Sequence, residues 1–415
     1  MKDAATSPES GPDSNVSTLN LIFPEVFLAD DDRINRIENI HCSMQQYADS
    51  GVFAAPHRGF VYIERDTPFN CGRKGLVAAI DLERYDWSPG SRSLIRSTEG
   101  TIPERLPARM DLRRNALIET SHVLLLIDDE SDSFLQNLGE RVKQHEPEYQ
   151  GMLMLNSGKV SGWFLDKDSD FAFIGEKLEK MAQKALSCYA ASDPAAANDE
   201  PFLFAVGDGN HSLAGARGIW DEYKQKHKNS EALQHPCRYA LVEIVNIYDP
   251  AIQFEPIHRV IFGLGFDEIL AALSALPDFS VREIADRNEL VRLVRKPVNG
   301  NCFGILAGSR CALLETSASG VSTVCLQPLL DQILKHDSTV SIDYIHGEDE
   351  LFRLACADSV ASGIAEPVTG ILLPPIHKAG FFATVARSGP LPRKSFSMGQ
   401  AEEKRFYIEC RKLFF

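Results

Sequence analysis

The sequence predicts a mixed α/β protein of the α+β class, and two patterns support this prediction. An apolar run at 202–206, the turn Gly207–Ser212 and an amphipathic stretch at 213–224 follow one another, as a buried strand, a tight turn and a helix do. Elsewhere along the chain, short apolar runs alternate with helical patterns. The chain of 415 residues is long enough for about two or three domains with a sizeable core.

The first half of the chain is predicted to form an N-terminal α/β region over 18–190, after a disordered tail over 1–17. Its elements follow from apolar runs and helical periodicity: strands at 60–63, 75–82 and 122–129, and helices at 138–145 and 171–190. Ser, Asp, Pro, Ala and Asn fill 191–200, a composition that is typical of a linker.

The second half is predicted to hold two further regions. A strand–turn–helix core that binds phosphate occupies 200–265, and it includes another strand at 239–247. A C-terminal α+β region over 266–415 completes the fold. This last region ends with a Gly-, Pro- and Ser-rich loop and a basic, aromatic tail.

Composition narrows the classes of function. The formal net charge of −15 argues against broad binding of nucleic acid and against adsorption to anionic membranes. The nine cysteines include no CxxC pair, so we expect reduced thiols in a cytoplasmic protein. The sequence has no Walker A pattern, no GxSxG, no HExxH and no GxGxxG after a strand, which removes most support for those enzyme classes.

The turn Gly207–Ser212 is the strongest candidate site. A glycine turn at a helix start directs several backbone N–H groups and the positive end of the helix dipole to one place, which favours anions, phosphate above all. The predicted phosphate-binding residues of the turn are Asp208, Gly209, Asn210 and Ser212. His211 is the catalytic candidate among them. The alternative is that Asp208 or Asn210 merely caps the helix.

A second polar cluster lies between Arg92 and Arg109. Glu99 is a candidate general base or metal ligand, and Thr101 and Arg105 are candidates for contacts with phosphate oxygens. The alternative is a solvated loop with surface ion pairs.

Two smaller groups of candidates lie in the second half of the chain. Pro256 disfavours a helix, so His258 and Arg259 are predicted on extended chain before a strand, His258 as a catalytic residue and Arg259 as a phosphate ligand. Lys394 and Ser395, on a proline-rich loop, are also candidate phosphate ligands. The alternative for His258 and Arg259 is a structural pair whose hydrogen bonds are satisfied within the fold. The alternative for Lys394 and Ser395 is a basic tail. Asp128–Asp129 is an acidic pair that suits either a divalent cation or the start of a loop.

The order of these clusters resembles the family called domain of unknown function 1015, over about 23–415. Members carry an Asp-Gly-His-His-Arg turn, for which this chain has Asp208–Ser212. They also carry a Glu-x-Thr segment followed by Arg, a His-Arg segment and a Lys-Ser segment. Here these are Glu99, Thr101 and Arg105, then His258 and Arg259, then Lys394 and Ser395.

The same turn is similar to the signature of the ParB and sulfiredoxin superfamily. That resemblance implies a ParB/sulfiredoxin-like core, in which the turn and the helix start bind nucleotide phosphates. Some relatives phosphorylate small hydroxyl metabolites such as free serine. This chain departs from the pattern because Asn210 replaces a His and Ser212 replaces the Arg, so one cation is lost from the site.

The leading hypothesis is therefore a cytoplasmic small-molecule kinase that uses ATP or ADP with Mg²⁺. A non-catalytic metabolite-binding or regulatory protein with the same pocket is the alternative. A ParB-like nucleic-acid protein is the least favoured. We expect a small-molecule or nucleotide ligand, no nucleic acid and no membrane partner; the sequence leaves the metal and the oligomeric state open.

Overall fold

The computed structural model describes residues 16–27, 30–189, 200–227, 233–296, 300–318, 320–356, 367–399, 403 and 406–413. These residues form ten α-helices and eighteen strands, so the predicted mixed α+β class is confirmed. Within the same described residues, no helix is both long and apolar enough to cross a bilayer. The predicted tail 1–17 and the linker 191–200 lie outside the described residues, apart from Val16, Ser17 and Glu200.

The chain folds as two compact units. Unit 1 comprises Met1–Ile252 and Gln400–Phe415, and unit 2 comprises Gln253–Gly399. The predicted regions 18–190 and 200–265 fall mainly in unit 1, and most of the region 266–415 falls in unit 2. The predicted division itself stays a prediction.

Unit 1 is built on a nine-stranded mixed sheet with helices packed against it. Its strands are β1 (Phe60–Asp66), β2 (Arg73–Asp81), β3 (Tyr85–Asp86), β4 (Ile95–Ser97), β5 (Ile118–Thr120), β6 (Val123–Ile127), β7 (Tyr149–Met152), β8 (Lys159–Leu165), β9 (Phe204–Asp208), β10 (Tyr239–Asn246) and β18 (Cys410–Lys412). Its helices are α1 (Arg33–Asp49), α2 (Leu106–Arg113), α3 (Ser133–Val142), α4 (Asp168–Tyr189) and α5 (Asn210–Lys226). The strand order in the sheet is β3-β4-β9-β6-β10-β2-β1-β8-β7, and β18 pairs with β5 separately.

The core of unit 1 lies between this sheet and the helices. All five residues of β6 are buried, as expected for a central strand that is covered on both faces. From α5, Leu213 and Trp220 pack into this core together with Phe134 of α3. Two glycines of α5 face α2: a Cβ at Gly218 would lie 2.9 Å from the Met110 sulfur. The small face of α5 thus lets α2 lie close to it.

Unit 2 is a second α+β unit with a seven-stranded sheet. Its strands are β11 (Phe254–Phe262), β12 (Ser280–Glu283), β13 (Asn301–Ala307), β14 (Arg310–Thr316), β15 (Ser341–His346), β16 (Val368–Leu372) and β17 (Phe396–Met398). Its helices are α6 (Phe266–Leu273), α7 (Arg287–Arg295), α8 (Ser322–His336), α9 (Glu348–Ala355) and α10 (Phe381–Ser388). The order is β12-β14-β13-β16-β11-β15, with β17 also paired to β11.

The structure corrects one local prediction. His258 and Arg259 lie within β11 itself, not on extended chain before a strand. Pro256 is accommodated because it lies near the start of β11, where this strand pairs with β17 through Phe396. A proline is tolerated there since it lacks only the backbone donor.

Candidate functional site

The candidate site of unit 1 lies at one end of its sheet. β4 and β9 are parallel neighbours, so their carboxyl ends open at the same place. β6 is antiparallel to β9 and begins there. Three chain segments therefore meet at this end: the chain after Ser97, the turn Asp208–Ser212 and the chain before Val123. Ligand sites in α/β sheets commonly form where strands end in this way.

Gly209 makes the sharp turn from β9 into α5. Its φ is +87°, in the left-handed region that favours glycine. A Cβ built on Gly209 would lie 3.0 Å from a methyl carbon of Val123. Both the conformation and the space at this position thus require glycine.

The N-cap residue of α5 is Gly209, which has no side chain that could cap the helix. The Oδ1 of Asp208 accepts a hydrogen bond from the Gly209 N–H at 2.9 Å, before the helix begins. The Leu213 N–H donates to the Gly209 carbonyl, which starts the helical pattern. The N–H groups of a first helical turn are the donors that bind an anion.

Asn210 joins the end of β4 to the turn. Its Oδ1 accepts from the Ser97 hydroxyl at 2.6 Å and from the Thr98 N–H at 3.3 Å, and its Nδ2 donates to the Val206 carbonyl at 3.3 Å. The Thr98 hydroxyl donates to the same carbonyl at 2.5 Å. The Asn210 side chain therefore positions the segment that precedes Glu99.

His211 holds the other end of that segment. Its Nε2 accepts from the Ile102 N–H at 3.1 Å. Thr98 is bound to Asn210, and Ile102 is bound to His211. The residues between them therefore form a short bridge beside the turn, Glu99–Thr101. The structure thus brings two of the sequence-predicted clusters together in unit 1.

The Thr101 hydroxyl is an unusual group in this bridge. Its oxygen is shielded from solvent and has no hydrogen-bond partner among the described residues. A buried hydroxyl without a partner costs free energy, so such a group in a native protein calls for an explanation. A ligand oxygen is one. Arg105, which follows Thr101 in a short 3₁₀ turn, is exposed.

Ser212 contacts a residue that the sequence analysis missed. Its hydroxyl lies 2.6 Å from Nε2 of His122, immediately before β6. The other ring nitrogen of His122 lies 3.1 Å from the Thr120 carbonyl. Nothing local in the sequence links His122 to the turn, because the contact depends on the pairing of β6 with β9.

The remaining candidates form one cluster in unit 2. Arg259 is fully buried; its Nε donates to Oε1 of Gln327 at 3.1 Å and one Nη donates to the Lys394 carbonyl at 3.0 Å. Ser395 is also buried, and its hydroxyl lies 2.7 Å from that of Thr323. The Lys394 side chain is exposed, and its φ of +58° is left-handed.

His258 in the same cluster is 1% exposed. Its Nδ1 accepts from the Leu373 N–H at 3.1 Å. Burial, followed by the charge of Arg259, lowers the pKa of His258 to about 4. The imidazole is therefore neutral at pH 7 and bonded within unit 2, a position that gives a substrate no access to it.

The described residues include no group of three or more His, Cys, Asp or Glu side chains that suits a metal ion. The acidic pair at the end of β6 has internal partners: Asp129 accepts from the Phe134 N–H at 2.8 Å and from the Ser131 hydroxyl at 2.6 Å. The Tyr189 hydroxyl donates to Asp128. This pair thus organises the loop before α3.

Several solved structures are similar to this chain at low identity. A free serine kinase in complex with AMP is 12% identical with a TM-score of 0.38, over 84% of this chain and 90% of that chain. A conserved hypothetical protein from Pyrococcus furiosus is 12% identical with a TM-score of 0.37, over 81% and 95%. SbnI with a C-terminal truncation from Staphylococcus aureus is 9% identical with a TM-score of 0.39, over 78% and 83%. Similarity at this level assigns neither ligand nor reaction to this chain.

No curated protein matches the sequence. A family model, by contrast, matches residues 8–336, which is well over half of the chain. The family predicted from the order of the polar clusters is thereby confirmed, whereas the finer ParB and sulfiredoxin resemblance stays a prediction. The chain belongs to the family described as protein of unknown function (DUF1015).

Proposed function

We propose that the turn Asp208–Ser212 binds the phosphate groups of a nucleotide, and that the protein transfers a phosphoryl group from ATP or ADP to a small hydroxyl metabolite. The observation that carries the proposal is the start of α5, where the N-cap residue Gly209 provides no capping side chain and polar side chains surround the turn. The first N–H groups of a helix have no partner within the helix, so they are donors for a ligand. Phosphate oxygens accept such bonds and gain from the helix dipole.

The Thr101 hydroxyl supports the same ligand. It is buried and has no described partner, so it would donate to a phosphate oxygen if the chain at Thr101 moved enough to admit one. Arg105 is exposed a few residues further on and adds positive charge at this end of the sheet. Ser212 stands where the resembling pattern has an Arg, and the charge of Arg105 partly offsets the loss of that cation.

Two carboxylates at this end of the sheet suit Mg²⁺ as ligands. Glu99 lies two residues after the end of β4, and Asp208 is the last residue of its parallel neighbour β9. In phosphoryl transfer, Mg²⁺ commonly takes one or two carboxylates and completes its shell with phosphate oxygens and water. When bound, the ion would neutralise charge on the phosphates. Glu99 is alternatively the base that accepts the proton of the acceptor hydroxyl.

The side chains of Asn210 and His211 act indirectly in this proposal. Both hold the bridge Glu99–Thr101 through internal hydrogen bonds, so we assign them a positioning role. The cluster of His258, Arg259 and Ser395 is assigned to the structure of unit 2. The ParB/sulfiredoxin-like core and a contribution of Lys394 to phosphate binding remain predictions that the proposal does not need.

A second candidate function is binding of a nucleotide without turnover, as a regulatory protein. The occupied Nε2 of His211 favours it, because a His engaged by the Ile102 N–H is a poor general base. Nucleotide binding without phosphoryl transfer to any of a panel of hydroxyl metabolites would support this alternative.

The test is calorimetric titration of the full chain with ATP and with ADP, each with and without Mg²⁺. Gly209→Ala should weaken nucleotide binding at least about tenfold, because a side chain at φ +87° is strained by about 1–2 kcal/mol and presses on Val123, which shifts the helix start.

Gly90→Ala is the matched control. Gly90 has a similar φ of +79°, but a Cβ there would meet no atom within 4 Å. This variant should lose similar backbone stability and keep its affinity. The absence of nucleotide binding by the wild-type protein, or equal binding by both variants, would contradict the proposal.

A further inference from the structure

Ser212 and His122 have the geometry of an activated nucleophile. The Ser212 hydroxyl lies 2.6 Å from Nε2 of His122, while Nδ1 of the same ring lies 3.1 Å from the Thr120 carbonyl. A carbonyl only accepts, so Nδ1 carries the proton and Nε2 is the acceptor for the hydroxyl. A hydroxyl, a base and a group that orients the base form the arrangement that enzymes use to activate serine.

The surroundings of His122 keep it in the basic form. The ring reaches solvent, yet the protein around it removes part of its hydration and lowers its pKa. The Thr120 carbonyl and the carboxylates of Glu119 and Asp208 act in the opposite direction, and Arg113 acts with desolvation. At neutral pH the imidazole is therefore neutral and able to accept a proton.

We propose that Ser212 is phosphorylated by the nucleoside triphosphate bound at the turn, with His122 as the general base. The inference rests on the proposed function. The Ser212 oxygen forms a bond to the γ-phosphorus, and the bond between that phosphorus and the β–γ bridging oxygen breaks. The nucleoside diphosphate leaves with that electron pair, and the hydroxyl proton moves to Nε2 of His122.

The position of Ser212 also stabilises the product. Ser212 lies in the first turn of α5, whose N-cap residue is a glycine. A phosphoserine at a helix N-terminus gains from the dipole and from hydrogen bonds with the N–H groups of the first turn. The oxygen of an acceptor hydroxyl or of water then bonds to the phosphorus and loses its proton to solvent, the bond between phosphorus and the Ser212 oxygen breaks, and His122 returns its proton to that oxygen. Phosphoserine is thus an intermediate of the proposed transfer.

The experiment incubates the full chain with ATP and Mg²⁺ and maps phosphorylated peptides by mass spectrometry. We expect a phosphoryl group on Ser212 in the wild-type protein and none at this position in Ser212→Ala. His122→Gln keeps an acceptor for the hydroxyl but cannot take the proton. General-base catalysis contributes about 10²–10⁴-fold, so this variant should be phosphorylated at least about a hundredfold more slowly.

His145→Gln is the matched control, because His145 is exposed in unit 1 and its ring takes no part in the site. Calorimetry on the same samples separates the two proposals. Nucleotide binding without phosphate on Ser212, or phosphorylation that is equally fast in His122→Gln, overturns the phosphoserine while the nucleotide site stands. Absence of nucleotide binding overturns both.

Discussion

The turn in unit 1 and the His258–Ser395 cluster in unit 2 contain similar residues and differ in where their polar groups find partners. Each combines histidine, serine and nearby basic side chains with the start of a helix. At the turn, the N-cap residue of α5 is a glycine and the Thr101 hydroxyl is buried with no described partner. In unit 2, His258 and Ser395 are each at most 1% exposed, and their side chains bond to other residues of the unit.

This difference teaches how to separate a ligand site from a polar core. Buried polar groups in native proteins are nearly always hydrogen-bonded, because burial without a partner costs free energy. The hydrogen bonds of His258 and Ser395 within unit 2 give both residues a structural explanation. The Thr101 hydroxyl is buried without such a partner, and a ligand would explain it. The composition of the two clusters alone does not make this distinction.

The largest expected effect is the loss of stability in Arg259→Ala. The variant leaves a cavity. It also removes the N–H donors of two hydrogen bonds, to Oε1 of Gln327 and to the Lys394 carbonyl. Leaving such buried groups without partners should cost about 3–4 kcal/mol of the free energy of unfolding. Unfolding in urea is monitored by hydrogen exchange in peptides of β11, which reports on unit 2. Tryptophan fluorescence would report on unit 1, because all three tryptophans lie there.

Arg393→Ala is the control for this change. Arg393 is exposed and lies over the same Tyr344 ring as Arg259, at 5.4 Å rather than 4.7 Å from its centre. An exposed cation–π contact contributes about 0.5–1 kcal/mol. If Arg259→Ala proved as mild as Arg393→Ala and instead abolished nucleotide binding, the cluster would belong to the functional site after all.

The second expected effect is the acid sensitivity that His258 gives to unit 2. Its folded pKa is about 4, while a histidine in the unfolded chain titrates near its ordinary value of about 6.5. Between these values only the unfolded chain binds the proton. The contribution of His258 is therefore fully present above about pH 6.5 and is lost as the pH falls towards 4, by about 3 kcal/mol as an upper bound.

His258→Asn tests this expectation, since Asn keeps an acceptor for the Leu373 N–H and does not titrate. Unfolding of unit 2 at pH 7.5 and at pH 4.5 should differ less in this variant than in the wild-type protein. His336→Asn, at an exposed position at the end of α8, should leave the difference unchanged. An unaltered acid sensitivity in His258→Asn would assign it to other groups.

The fold was predictable from the sequence where the pattern is local. The apolar runs of β2, β6 and β9 and the glycine start of α5 were identified correctly, because periodicity and positive φ are properties of neighbouring residues. Helix α1 was missed although Ile37, Ile40, Met44 and Tyr47 follow helical spacing, since these few buried residues are scattered among many polar ones.

The candidate site was predictable only in part. The turn and the bridge Glu99–Thr101 were proposed from their residue types, and the structure brings them together. The partnership of Ser212 and His122 depends on β9 pairing with β6, which no local pattern encodes. The burial of His258 likewise depends on the strands on both sides of β11.

The smallest expected effect is the most specific test of the comparison, because it uses two neighbouring threonines. The Thr98 hydroxyl donates to the Val206 carbonyl at 2.5 Å, whereas the Thr101 hydroxyl is buried with no described partner. Thr98→Val should therefore lose about 1 kcal/mol of stability.

Thr101→Val removes a hydroxyl whose burial is unfavourable in the free protein, so its stability should stay equal or rise. Its nucleotide affinity should fall about three- to tenfold, since a hydrogen bond contributes about 1 kcal/mol. Thermal unfolding with and without ADP measures both quantities. If Thr101→Val lost stability as Thr98→Val does and bound ADP as the wild-type protein does, the Thr101 hydroxyl would have a structural partner, as His258 and Ser395 have in unit 2.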